Sequence, residues 1–168
     1  PYIAPGTWPD CDMIPLGRIS IRGERGVNRM TRLSVDEQYS LMTLFTIFKS
    51  PLMFGGDLPS NDAFTLSLLT NKEVLRMHKE SSRVRQLFQV DNKVAISSVN
   101  EATGEVYLAL FNMGNEAQTI SLDLAHYDLP VKAVVRNLWS GKRVCRVDEV
   151  FEQTVAAHGS GLYVFVGR

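Results

Sequence analysis

Residues 50–57 read Ser50-Pro51-Leu52-Met53-Phe54-Gly55-Gly56-Asp57, and this stretch decides the fold of the first half of the chain. A short apolar run ended by two glycines reads as a buried strand. Pro51, in front of it, stops any helix that runs into it. Such a helix is present: Ser34-Val35-Asp36-Glu37 is a capping box, in which each end residue satisfies the other's orphan amide. Leu41, Met42, Leu44, Phe45 and Phe48 then form a wide apolar stripe suited to packing on a sheet. Beyond the strand, Ser60 or Asn61 caps a second helix through Phe64, Leu66, Leu68 and Leu69. Thr70-Asn71-Lys72-Glu73 opens a further helix to about Lys79 as another capping box. Strand, helix, strand, helix with apolar strands argues for parallel pairing in an α/β layer.

Upstream, residues 6–14 (GTWPDCDMI) hold no helical period and carry Pro9, so they read as a strand end running into a loop. Residues 17–33, with five arginines and three glycines, read as an exposed loop with one short extended piece. Downstream of residue 80 the text changes character. Val94, Ile96 and Ser98 alternate with Ala95 and Ser97, and EVYLALF (105–111) is a strand after the turn NEATGE. QTISLDL (118–124) alternates strictly, the pattern of a half-buried antiparallel strand. Residues 131–138 and 161–166 continue the series, with turns at Ser140-Gly141 and Gly159-Ser160-Gly161. Roughly six to eight short strands about ten residues apart suggest an antiparallel β-sandwich.

The halves therefore divide as 1–80 and 81–168. Two parallel strands with their helices leave both sheet edges open. The first half reads as the end of a larger α/β domain, whereas the second is long enough to fold alone.

Lys+Arg and Asp+Glu are both 18, so charge gives no argument for a nucleic acid or an anionic membrane as partner. No apolar run reaches membrane-spanning length. PYIAPGTWPD shows no signal-peptide pattern and does not begin with Met, which reads as an internal piece of something longer. Cys11 and Cys145 fit no zinc spacing and read as unpaired thiols. His78, His126 and His158 stand far apart and form no metal or triad pattern; no metal or cofactor is expected.

Asp10 and Asp12 carry the chemistry the sequence offers. In an extended strand they share one face. Side-by-side carboxylates suit hydroxyl binding better than flanking a scissile bond, although a turn aspartate capping the loop is the competing reading. Trp8 is either a stacking platform for a sugar or packing, and Met13 a core filler. Asp57 ends the second apolar strand, and the five loop arginines either grip an anion or lie solvated. Ser160 matches no nucleophile elbow.

Trp8-Pro9-Asp10-Cys11-Asp12-Met13-Ile14-Pro15-Leu16-Gly17 resembles the W-x-D-P-D-M-L…G segment of the α-galactosidase family of retaining glycoside hydrolases, family 27 of clan D. Thr31 to Phe48, Ser50 to Leu58 and Leu69 to Leu75 resemble its following helix, strand and helix. Asn137-Leu138-Trp139-Ser140-Gly141-Lys142 and His158-Gly159-Ser160-Gly161-Leu162-Tyr163 are similar to turns of its C-terminal domain. The resemblance implies that residues 1–80 are the last two βα units of a (β/α)8 barrel and residues 81–168 the antiparallel β-sandwich that follows it. It implies hydrolysis of terminal α-galactosides or related sugars through two aspartates, without cofactor. Both aspartates would lie in the missing N-terminal barrel half, leaving this chain inactive alone. Asp12 and Met13 would contact substrate, with Asp10 and Trp8 in supporting roles. Cys11 stands where the family has proline. An extracytoplasmic setting (periplasmic, secreted or lysosomal) follows from the same resemblance. The competing reading is a non-catalytic β-sandwich that binds carbohydrate or a partner. That reading requires Tyr107, Phe111, Tyr127 and Trp139 to share one open face.

Overall fold

The computed structural model describes residues 6–167; Pro1 to Pro5, part of the stretch read for a leader, lie outside the described residues. Strands β1 (Met13–Ile14), β2 (Arg18–Ile19) and β3 (Arg29–Met30) precede helix α1 (Val35–Ile47). Strand β4 (Met53–Phe54), a 3-10 turn (Leu58–Ser60), α2 (Ala63–Leu69) and α3 (Lys72–Glu80) follow. The remainder is β: β5 (Ser82–Val90), β6 (Lys93–Val99), β7 (Val106–Asn112), β8 (Gln118–Asp123), β9 (Val134–Asn137), β10 (Arg143–Arg146), β11 (Val150–Val155) and β12 (Ser160–Val166).

β1 and β4 pair in parallel, Met13 opposite Met53 and Ile14 opposite Phe54, with α1 in the connection between them. The arginine-rich segment between β1 and α1 is an antiparallel hairpin of β2 and β3. Ile14 and Leu16 are buried with Met42, Phe45 and Leu68, so this sheet face is covered by helices.

β5, β6, β7, β12, β9 and β10 form a six-stranded antiparallel sheet in the order β10-β9-β12-β7-β6-β5. β8 and β11 form a second, two-stranded antiparallel sheet. Ala95, Leu108, Leu110, Tyr163 and Phe165 of the large sheet pack with Ile120, Leu122, Phe151 and Val155 of the small one, and this is the sandwich core. The large sheet is buried on its other face as well. There Ile96, Tyr107, Ala109, Phe111, Leu162 and Val164 meet Ile47 of α1 and Val74 and Met77 of α3. A strand buried on both sides needs apolar residues at every position, which is why YLALF and GLYVF run unbroken where QTISLD alternates.

Several sequence expectations shift. The capping box at Ser34 and Glu37 forms with both bonds in place, at 3.2 and 2.7 Å. α2, however, is capped by Asp62, not by Ser60 or Asn61, because the 3-10 turn consumes Ser60. α3 is capped by Asn71, whose Oδ1 accepts from the Glu73 and Val74 amides. Thr70 is unavailable for that role: its hydroxyl donates back to the Leu66 carbonyl of α2 at 2.7 Å.

Candidate functional site

Residues 6–14 are not a strand end running into a loop: residues 10–12 form a tight turn that feeds β1 (Met13–Ile14) from upstream. Asp12 takes a left-handed backbone, φ 67°, which is tolerated by aspartate better than by most residues. Asp10 holds it there: the Asp12 amide donates to Asp10 Oδ1 at 2.8 Å. Asp12 Oδ1 in turn accepts the Met13 amide at 2.8 Å. The same-face extended arrangement expected of the two carboxylates is therefore not formed, because short aspartate side chains bond their own backbone across a turn. Both remain exposed. The Cys11 amide, in the position between them, donates to Ser50 Oγ at 3.0 Å and anchors the turn to the segment before β4.

Met13 and Met53 lie side by side on the face of the parallel pair away from the helices, 49% and 54% exposed. Trp8 is 59% exposed. It lines a cavity of about 440 Å3 with Lys49, Pro51, His78 and Lys79, whose walls do not include Asp10, Asp12 or Met13. Two groups of that cavity have assigned partners. The Lys49 amine donates to the His78 carbonyl at the end of α3, a favourable place for a cation at a helix C-terminus. His78 Nε2 lies 2.9 Å from the Ser50 carbonyl oxygen. Burial lowers the pKa of both Lys49 and His78.

The C-terminal ends of β1 and β4 open onto different chemistry, which the sequence flagged only as Asp57 and a loop of arginines. The Asp57 amide donates to the Arg18 carbonyl of β2 at 2.7 Å, tying the segment after β4 to the hairpin. Gly56 is required there, since a Cβ would run into the Leu16 carbonyl oxygen and the Phe54 ring. Arg29 holds the hairpin closed through the Arg25 and Val27 carbonyls, at 2.9 and 3.0 Å.

Of the four aromatics whose clustering would mark a binding face, Tyr107 and Phe111 are buried against the helices. Trp139 is wedged between α1 and the large sheet: its Nε1–H donates to Thr43 Oγ1 at 3.0 Å, and its ring meets Tyr39 edge-on at 5.3 Å. Tyr127 packs on Phe88 in the sandwich cluster. They do not share an open face. Ser160, excluded above as a nucleophile, donates to Thr43 Oγ1 at 3.1 Å and belongs to the same seam. Among the described residues no group of three or more His, Cys, Asp and Glu gathers in metal-binding range.

Residues 91–165 match the α-galactosidase C-terminal β-sandwich domain. The whole described fold superposes on a family 27 β-L-arabinopyranosidase from Geobacillus stearothermophilus with TM-score 0.93 and 38% identity, over 98% of this chain and 38% of that one. The chain is similar to the C-terminal part of an α-galactosidase-like protein of glycoside hydrolase family 27. A putative α-N-acetylgalactosaminidase from Bacillus halodurans is similar too, with TM-score 0.91 and 35% identity over 97% of this chain and 38% of that one. Among curated proteins, α-galactosidase D of Emericella nidulans is 28% identical over 94% of this chain and 23% of its own length. The chain thus spans about a quarter of the length of that curated relative.

Proposed function

We propose that this chain is a C-terminal part of a retaining glycoside hydrolase acting on terminal α-galactosides or a related sugar. Residues 1–80 supply the last two βα units of a (β/α)8 barrel and residues 81–168 its β-sandwich. The supporting observation is the parallel β1–β4 pair, helix-covered on one face and exposing Met13 and Met53 on the other. A barrel interior is lined in this way, by side chains pointing away from the helix ring. Such hydrolysis needs one carboxylic acid to protonate the departing oxygen and one carboxylate to attack the anomeric carbon. Asp10 and Asp12 each fix one oxygen in consecutive turn bonds and stand side by side rather than flanking a bond, and in this reading the catalytic pair belongs to the upstream barrel half.

Asp12 and Met13 are the substrate-binding residues of this reading. Asp12 keeps Oδ2 free to accept a sugar hydroxyl while Oδ1 is fixed by the Met13 amide. Met13 offers an apolar, adaptable surface to the ring. Asp10 supports by fixing the Asp12 backbone, and Trp8 is the other supporting residue of this reading. No cofactor takes part, and the setting is extracytoplasmic.

The experiment is hydrolysis of an aryl α-galactoside by the 168-residue chain alone and by the chain joined to an upstream barrel half. The chain alone is expected to be inactive and the joined protein active. Asp12→Asn in the joined protein should lower kcat/KM by about 10- to 100-fold, the loss of one or two charge-assisted hydrogen bonds. Turnover by the chain alone that Asp12→Asn abolishes would place the catalytic carboxylates here and overturn the assignment.

A further inference from the structure

Between α1 and strands β6 and β7 lies a cleft of about 430 Å3, within the range of about 300–1,000 Å3 typical of small-molecule sites. Leu41 and Leu44 line it from α1 and Val94 and Phe111 from the sheet, with the His158-Gly159 turn before β12 completing it. We propose that this cleft binds a small amphiphilic cation, an aryl or alkyl group carrying one ammonium head. It shares no wall with Trp8, Asp10, Asp12 or Met13, and the proposal stands apart from the hydrolase reading.

Three observations carry it. The first is an apolar surface left open. α1 gives Met42 and Phe45 to the core under β1 and β4 and Ile47 to the large sheet. Leu44 belongs to neither core and is 37% exposed, although it falls in the same apolar stripe. Val94 and Phe111 stand opposite each other in the β6–β7 ladder and meet the cleft from the other side. The second is that the polar side chains of the walls are spent on the protein, with two exceptions. Ser40 Oγ donates to the His158 carbonyl at 2.7 Å. Asn112 donates through Nδ2 to the Glu116, Val155 and Ala156 carbonyls and accepts the Gly114 amide on Oδ1. Glu37 accepts the Ser34 amide on Oε2 and keeps Oε1, and the His158 ring has no hydrogen-bond partner among the described residues. A molecule rich in hydroxyls would give up its water here without finding partners, whereas an apolar body loses little. The third is the sign of the charge. Glu37 is the one carboxylate among the described wall residues, and no Lys or Arg joins it there. The bond from the Ser34 amide is the main reason its carboxyl titrates below the ordinary value, so it is ionised at neutral pH. An ammonium bonded to Oε1 leaves its apolar chain against Leu44 and Phe111. Since the walls come from both the helices and the sandwich, an occupant ties the two layers and stabilises the folded chain.

The test is thermal denaturation and an amide NMR titration of the 168-residue chain with phenylethylammonium, beside ethylammonium, phenylethanol and phenylpropionate. The solution is held at about pH 8, above the ordinary histidine range. Phenylethylammonium should raise the denaturation midpoint and give saturable shifts at residues 37–44 and 111–113. Ethylammonium, a head without a body, should do neither. Phenylethanol should bind about two- to fivefold more weakly, the worth of one exposed ion pair, and phenylpropionate more weakly still. Glu37→Gln keeps the capping box, which accepts Gln as well as Glu. It should bring the ammonium down to the level of the alcohol and leave the alcohol unchanged. Equal binding of all three phenyl compounds, tightest binding of phenylpropionate, or no shifts at all would each overturn the proposal. So would a chain that is dimeric in size-exclusion chromatography and becomes monomeric with Leu44→Asp, because a second copy would then fill the cleft.

Discussion

Glu105 shows how much one side chain holds at the residue scale. It accepts Arg76 Nη1 and Nη2 at 2.8 and 3.0 Å and also takes the Thr103 and Tyr107 hydroxyls at 2.9 and 3.1 Å. Arg76 lies on α3, and Glu105 leads into β7, so the pair joins the helices to the sandwich. Hydrogen bonding from Arg76 is the main reason the Glu105 carboxyl titrates below its ordinary value. Because the folded pKa is depressed, this contribution is complete above the unfolded carboxylate value of about 4.3 and is lost as pH falls through the folded one. Glu105→Gln should therefore lower stability by about 1–2 kcal/mol at neutral pH. It should also flatten the acid limb of a plot of denaturation midpoint against pH. An unchanged acid limb would mean the pair is too solvated to matter. Tyr107, with burial the leading cause, is pushed up to about 12 and stays a hydrogen-bond donor to Glu105 throughout that range.

At the scale of elements, the contact that matters most is made by the loop after β9. Trp139 donates to Thr43 of α1, stacks edge-on against Tyr39, and through its carbonyl accepts Asn71 Nδ2 at the start of α3 at 3.1 Å. Trp139→Ala should cost about 2–4 kcal/mol, the range for deleting a large packed aromatic. Trp139→Phe should recover most of the packing but not the bond to Thr43. Equal losses in chemical denaturation for both variants would show that the hydrogen bond, rather than the ring, holds the seam. The sequence made the elements themselves readable wherever one force dominated: the box at Ser34 and Glu37, the glycine stop after Phe54, the alternation of QTISLD. It hid β5, where Arg83, Arg85, Gln86 and Gln89 mask the strand and two register shifts break the period. It also hid the turn at Asp10 and Asp12, since nothing in WPDCDM separates a carboxylate bonded to its own backbone from one held out in a strand. The tie between Asp57 and the hairpin was legible only as two unrelated hints, because the hairpin spans residues 18–30.

For the whole molecule, the large sheet is the middle of three layers, with the small sheet on one side and α1 and α3 on the other. Counting strands makes residues 81–168 look self-sufficient; the layering argues otherwise. Removing residues 1–80 would bare a face built from Ile96, Tyr107, Ala109, Phe111, Leu162 and Val164. Contiguous apolar surface of that kind drives association. The isolated 81–168 segment should bind more of the dye ANS, and self-associate more in size-exclusion chromatography, than the full chain. A monomeric, dye-silent segment would show that the face tolerates water.

The double-sided burial also bears on inheritance. Each central residue of β7 and β12 answers to one neighbour on one side only, but adjacent residues answer to different layers, one of them encoded before residue 80. A crossover between genes of two such proteins placed at the junction of helices and strands would therefore join a sheet to helices it did not evolve against. Exchange that keeps the helices α1 and α3 with their own β7 and β12 would pass unnoticed, so lineages should trade this pair of layers as one unit.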